Sequence, residues 1–263
     1  MSEVLVERTG HVAVLTLNRP DRMNAISGEM LDRLSSLLIE CDDDDDVRVI
    51  ILTGAGRGFC AGLDLVDATS GKGIGAPDNP RMPPRLDLRT APPTVLHSLD
   101  TPTLCALNGG AAGYGMDLAL GCDIRIAAEA GKLAAAFTRR GVLPESGGTW
   151  LLPRLVGWSK AAEIIFTGRT LSAEQCLELG LVSRVVPDDL LMKEAMALAG
   201  EIAENAPLAI RASKRMMRMG LSDSFDDHVD RVFLQLLPLF RSKDFREGMT
   251  AFLEKRAPKF EGR

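Results

Sequence analysis

Chemistry in this sequence is concentrated in two glycine-rich turns, each of which follows a short apolar run. The first is Thr53-Gly54-Ala55-Gly56-Arg57-Gly58-Phe59-Cys60-Ala61-Gly62-Leu63-Asp64, after Val47 to Leu52. The second is Asn108-Gly109-Gly110-Ala111-Ala112-Gly113-Tyr114-Gly115, after Thr101 to Leu107. Each ends a predicted strand and leads to a helix start, with an acid just beyond it: Asp64 in one case, Asp117 in the other. Small residues leave backbone N–H groups uncovered, Ala61 in the first turn and Tyr114 in the second. Two converging N–H groups, aided by helix dipoles, make an oxyanion hole for an oxygen that gains charge, as when a thioester carbonyl becomes an enolate. One such donor is worth roughly 2.7–4 kcal/mol of transition-state stabilisation.

Other uses of the turns fit less well. A dinucleotide loop requires a third glycine where Phe59 stands, and a phosphate-gripping loop requires a Gly-Lys-Ser/Thr that does not follow. His11, His97 and His228 are too scattered in sequence to suggest a histidine triad or a metal cluster. Cys41, Cys60, Cys105, Cys122 and Cys176 are odd in number, widely spaced and without a CxxC, the pattern of reduced thiols in a cytoplasmic protein. No metal and no separate cofactor is expected.

The elements that must position the turns read as one long alternation. With 46% hydrophobic and 25% charged residues, the 263-residue chain has an ordinary globular composition and can bury a large core. A net charge of −5 argues against nucleic acid as the main partner. No apolar run reaches membrane-spanning length, and the N-terminus opens as a strand, so a soluble, cytoplasmic protein is expected. Val4–Arg8 and His11–Leu17 form a predicted hairpin, and Ser27 caps a helix from Gly28 to about Glu40. The acidic run Asp42–Asp46 reads as a solvated loop. Residues 66–93, rich in glycine and proline, read as a long excursion, either a lid or pocket wall or a merely disordered insertion. Further strands are predicted over 101–107 and 123–128, with helices from about 116, 149, 159, 172, 190, 207, 225 and 245. Met192, Met196, Met216, Met217 and Met219 read as core filler.

The segments LNRPDRMNAI, ILTGAGRGFCAGLDL, NGGAAGYGMDLALGCDIRIA, GVLPESGGTWLLPRLVG and TGRTLSAEQCLELGLVSRVV resemble, in order and over nearly the whole chain, the crotonase (enoyl-CoA hydratase/isomerase) family. The resemblance implies an α/β fold: a spiral of ββα units over residues 1–195 and a C-terminal helical, trimerising portion over 196–263. It implies an acyl-CoA thioester as substrate, with Ala61 and Tyr114 as the oxyanion donors. It also implies a homo-oligomer, a trimer or a dimer of trimers. Arg22, Ala25, Arg57, Gly62, Asp64 and Lys255 fall where the resemblance implies contacts to coenzyme A, and Lys255 resembles a family lysine that can reach it in a neighbouring subunit.

Its carboxylates set this sequence apart. Of the two glutamates that flank the double bond in family hydratases, the first falls on Asp117 and the second on Phe137, which transfers no proton. Glu145, eight residues on, stands where some isomerases of the family keep their acid. The resemblance therefore implies double-bond isomerisation with Glu145 as proton carrier and Asp117 assisting. Hydration by an Asp117–Glu145 pair, and a silent acyl-CoA-binding paralogue, are the alternative readings. Without the family, Glu145 would be read simply as an acid answering a helix dipole.

Overall fold

The computed structural model describes residues 2–64 and 88–263. Most of the 66–93 excursion lies outside the described residues. Its last part is a 3-10 turn, Leu88–Thr90, and the start of the helix Pro92–Ser98.

The strands are β1 (Val4–Thr9), β2 (Val12–Leu17), β3 (Val49–Gly54), β4 (Gly58–Cys60), β5 (Thr103–Leu107), β6 (Gly110–Ala112), β7 (Ile124–Ala128), β8 (Lys132–Ala134), β9 (Thr170–Ser172) and β10 (Arg184–Val186). They form two sheets, one in the order β1-β2-β3-β5-β7-β10 and one in the order β4-β6-β8-β9. The β1–β2 hairpin and the β8–β9 pair are antiparallel, and the other pairings are parallel. Each turn of the spiral lays a long strand in the larger sheet and the next, short one in the smaller: β3 then β4, β5 then β6, β7 then β8. This is the fold expected of the family. The short strands β4 and β6 were not anticipated, because glycine and alanine carry little strand signal.

β3 is buried along its whole length, as a central parallel strand must be. Ile50 and Leu52 face one apolar layer, shared with the other sheet and the helices; Val49 and Ile51 face a second. β5 splits the same way, with Cys105 and Leu107 in the first layer and Leu104 and Ala106 in the second. The second layer is closed by the helix Leu191–Ala203, whose Leu191, Ala195, Ala199 and Ala203 are buried. That helix runs across residue 195 and so ties the end of the spiral to the start of the helical portion. Helices Pro207–Gly220, Phe225–Arg241 and Lys243–Glu254 follow.

Two local expectations are corrected. The helix capped by Ser27 extends to Asp43, so Asp42 is not in a solvated loop. Its carboxylate instead accepts the Thr101 N–H at 2.7 Å and lies 3.6 Å from Arg211, pinning the entry to β5. Among the methionines, Met216 is buried but Met217 is 75% exposed, because it falls on the outer side of an amphipathic helix.

Candidate active site

The two glycine-rich turns come together because β4 and β6 are neighbours in the smaller sheet. Their contact is close enough to require glycine. A Cβ on Gly62 would stand 2.8 Å from the Ala112 carbonyl oxygen, and Gly62 has a φ of +101°. A Cβ on Gly115 would collide with the Cys60 carbonyl. Two asparagines tie the turns further. Asn24, buried and left-handed with φ +54°, donates to the Ala55 and Gly58 carbonyls at 3.0 and 2.8 Å. Asn108 accepts the Gly54 N–H at 3.1 Å and donates to the Gly56 carbonyl at 3.0 Å.

The N–H groups sort themselves differently from expectation. Tyr114 is the first residue of the helix Tyr114–Gly121, and its N–H has no acceptor among the described residues. The Ala61 N–H, by contrast, donates to the Met23 carbonyl at 2.9 Å. The N–H two residues on, at Leu63, has no acceptor among the described residues, although its neighbours are engaged: the Gly62 carbonyl accepts from Ile26 at 2.8 Å and the Asp64 N–H donates to Ile26 at 3.0 Å. That alternation is strand pairing. One N–H in two faces the partner, and the next faces away. Knowing that Ile26 pairs with Leu63 would have identified the free donor, but the sequence does not show the pairing. Leu63, Gly113, Tyr114, Phe137, Arg140 and Val142 line a cavity of about 90 Å³.

Asp117 lies one turn into the same helix, 1% exposed, and accepts the Ser146 N–H at 3.2 Å. Burial, reinforced by the Glu145 charge, pushes its carboxyl up to about 7, against the pull of the Ser146 and Gly148 N–H groups. Glu145, half-buried, is also held above the ordinary carboxylate range by burial. Phe137 is a buried core residue. The Cys60 thiol, fully buried beneath the turn, is pushed up to about 12 by burial and is no nucleophile at neutral pH.

The residues expected at coenzyme A have mixed positions. Arg22 and Arg57 are exposed in the loops beside the first turn, Arg57 touching the Met23 sulfur at 3.1 Å. Asp64 is buried and ion-pairs with Arg19 at 3.0 Å, and the same guanidinium donates to the Ala25 carbonyl at 2.6 Å. Arg19, whose partners Asp64 and Ala25 no local sequence signal reveals, thus braces this loop from within. Lys255 is exposed at the C-terminal end of the last helix, in a left-handed conformation, φ +58°. It makes no hydrogen bond or ion pair to the turns among the described residues. The cysteines are all buried and unpaired.

Residues 7–263 match the family model described as enoyl-CoA hydratase/isomerase. The chain is 41% identical to the 1,2-epoxyphenylacetyl-CoA isomerase of Escherichia coli, over 96% of this chain and 95% of that protein. It is 35% identical to the 2,3-dehydroadipyl-CoA hydratase of the same organism over the full length of both. Its fold matches a crystal structure of enoyl-CoA hydratase from Bacillus anthracis with a TM-score of 0.91, at 35% identity and full coverage of both chains. Isomerases and hydratases thus stand side by side among its relatives.

Proposed function

This chain belongs to the enoyl-CoA hydratase/isomerase family, and from that premise we propose that it moves the double bond of an enoyl-CoA, with Glu145 as the proton carrier. The observation that carries this reading is Phe137: where the family resemblance puts a hydratase's second glutamate, this chain has a buried phenyl ring. Among the described residues Asp117 and Glu145 are the carboxylates beside the two turns' helix, and of the two Glu145 is the partly open one. In the proposed cycle, ionised Glu145 takes a proton from C2 of a 3-enoyl-CoA. The electron pair moves into the thioester, and the dienolate oxygen sits between the Tyr114 and Leu63 N–H groups. Glu145 then returns the proton at C4. Asp117, whose carboxyl burial pushes up to about 7, is largely protonated just below neutrality and braces the Ser146 turn that carries Glu145. A base raised by burial suits abstraction from a weakly acidic C–H.

Arg22 and Arg57 are assigned to the coenzyme A phosphates, because both are exposed and neither forms an ion pair among the described residues. Asp64 and Ala25 serve Arg19 instead. Lys255 is kept as a contact made across to a neighbouring subunit. A homo-oligomer is supported by the apolar surface of the C-terminal helices, where Phe225 and Phe252 are each 80% exposed and Leu253 is 76% exposed. Light scattering on the purified protein tests this, and a monomer at micromolar concentration would refute it.

The second reading, hydration, is favoured by the electrostatic coupling of Asp117 to Glu145. A paired assay on one enzyme stock decides between the two. Conversion of 3-enoyl-CoA to 2-enoyl-CoA without hydration of 2-enoyl-CoA supports the isomerase. Comparable hydration supports the Asp117–Glu145 pair. Silence in both, with acyl-CoA still bound, supports a binding paralogue.

A further inference from the structure

The proposed role of Tyr114 in the oxyanion hole uses its backbone alone, yet the residue carries a phenol folded into the protein interior. The residue is 5% exposed, and its hydroxyl makes no hydrogen bond of good geometry among the described residues, although the Ser146 hydroxyl lies beside it. Two more buried polar atoms lack a hydrogen bond of good geometry: the Ser146 hydroxyl, and Asp117 Oδ1, which only the Gly148 N–H approaches, on residues that are each 1% exposed. The three are neighbours. Tyr114 and Asp117 are three residues apart on one helix and so share a face, and the Ser146 N–H is bonded to the other Asp117 oxygen at 3.2 Å. Glu145 precedes Ser146 in the chain, and its charge is felt by both Asp117 and the Tyr114 phenol.

Such a cluster is costly unless it is used, because buried polar groups without partners forfeit the hydrogen bonds that water gave them. Its composition is complementary. An ionised carboxylate only accepts, whereas a hydroxyl can donate, and here two hydroxyls stand among two carboxylates. We propose that Tyr114 and Ser146 are positioning residues for the proton carrier, their hydroxyls donating to the Asp117–Glu145 carboxylate pair when the pair is charged. The proposal rests on Glu145 being that carrier. The titratable groups facing the Tyr114 hydroxyl are Cys60 on β4, Glu145 in the loop and Asp117 on its own helix. Cys60 stays a thiol at neutral pH, so the two carboxylates set the pH response.

The test is the pH dependence of kcat/KM for Tyr114→Phe, Ser146→Ala and the double variant. Each removes one oxygen and leaves the Tyr114 N–H in place. A donor lost from a carboxylate raises its pKa, so the acidic limb of the profile moves to higher pH. One hydrogen bond corresponds to about half a unit to one unit per variant. KM remains near the wild-type value, since neither hydroxyl is assigned to the substrate. Profiles that superimpose on the wild type, or losses equal at every pH, overturn the proposal. The same titration is followed without turnover by the infrared C=O stretch of the protonated carboxyl groups. A midpoint that moves in the variants supports the hydroxyl network even if no isomerase activity is found, in which case the functional reading falls alone. An unmoved midpoint in an active enzyme overturns the network and leaves that reading intact.

Discussion

Replacing Asp117 by asparagine should make the protein more tolerant of alkaline conditions, although it removes a charge from the active site. In the unfolded chain an aspartate loses its proton near 3.8, whereas burial first and the Glu145 charge second push Asp117 up to about 7 in the folded protein. The native state therefore binds this proton more tightly than the unfolded state does. Wild-type stability falls as pH rises from the unfolded value through the folded one, at up to about 1.36 kcal/mol per pH unit. The whole window is worth at most about 4 kcal/mol, and the part between about pH 5.5 and neutrality about 2 kcal/mol. Asparagine is nearly isosteric, keeps an oxygen to accept the Ser146 N–H, and does not titrate. Urea unfolding of both proteins, at equal protein concentration because assembly adds its own stability, should give curves that diverge by about 2 kcal/mol between about pH 5.5 and 8.5, the variant staying flatter. Parallel curves would refute the reasoning: Asp117 would then be ionised without penalty, and the burial argument would fail.

Four further outcomes follow from the same geometry. Glu145→Gln should lower kcat by about 10²–10⁴-fold while acyl-CoA binding, measured by calorimetry, is retained; unaltered turnover would remove Glu145 from the mechanism. In the wild type, kcat/KM should rise with pH through a midpoint above the ordinary glutamate range, because the base acts only when ionised and burial holds its pKa up. Replacing the Leu63 amide by a backbone ester should cost about 10²–10³-fold in kcat, whereas the same change at Ala61 deletes its bond to Met23 and costs about 1 kcal/mol of stability instead. Gly148→Ala should destabilise by about 1–3 kcal/mol in thermal unfolding, because its Cβ would be driven into the Asp117 carboxylate.

Much of this was legible in the chain itself. Short, β-branched apolar runs bounded by glycine, such as Val49–Leu52, read as buried strands, and the glycines that follow them mark where two backbones meet. The motifs in order gave the family, and the absence of a carboxylate at Phe137 set this chain apart from the hydratase pattern. What stayed hidden depended on partners remote in sequence. Ala61 and Leu63 are equally good donors on paper; only the pairing with Ile26 and Met23 decides which N–H is spent on the fold and which is left over. Asp64 and Asp117 look alike as acids beyond glycine turns, yet one is neutralised by Arg19 and the other is buried beside Glu145 with its proton held. Local propensity and pattern fix the elements, because they depend on neighbours a few residues away. Hydrogen-bond occupancy and carboxylate acidity depend on what long-range packing brings within a few ångströms, and that is decided only when the spiral closes.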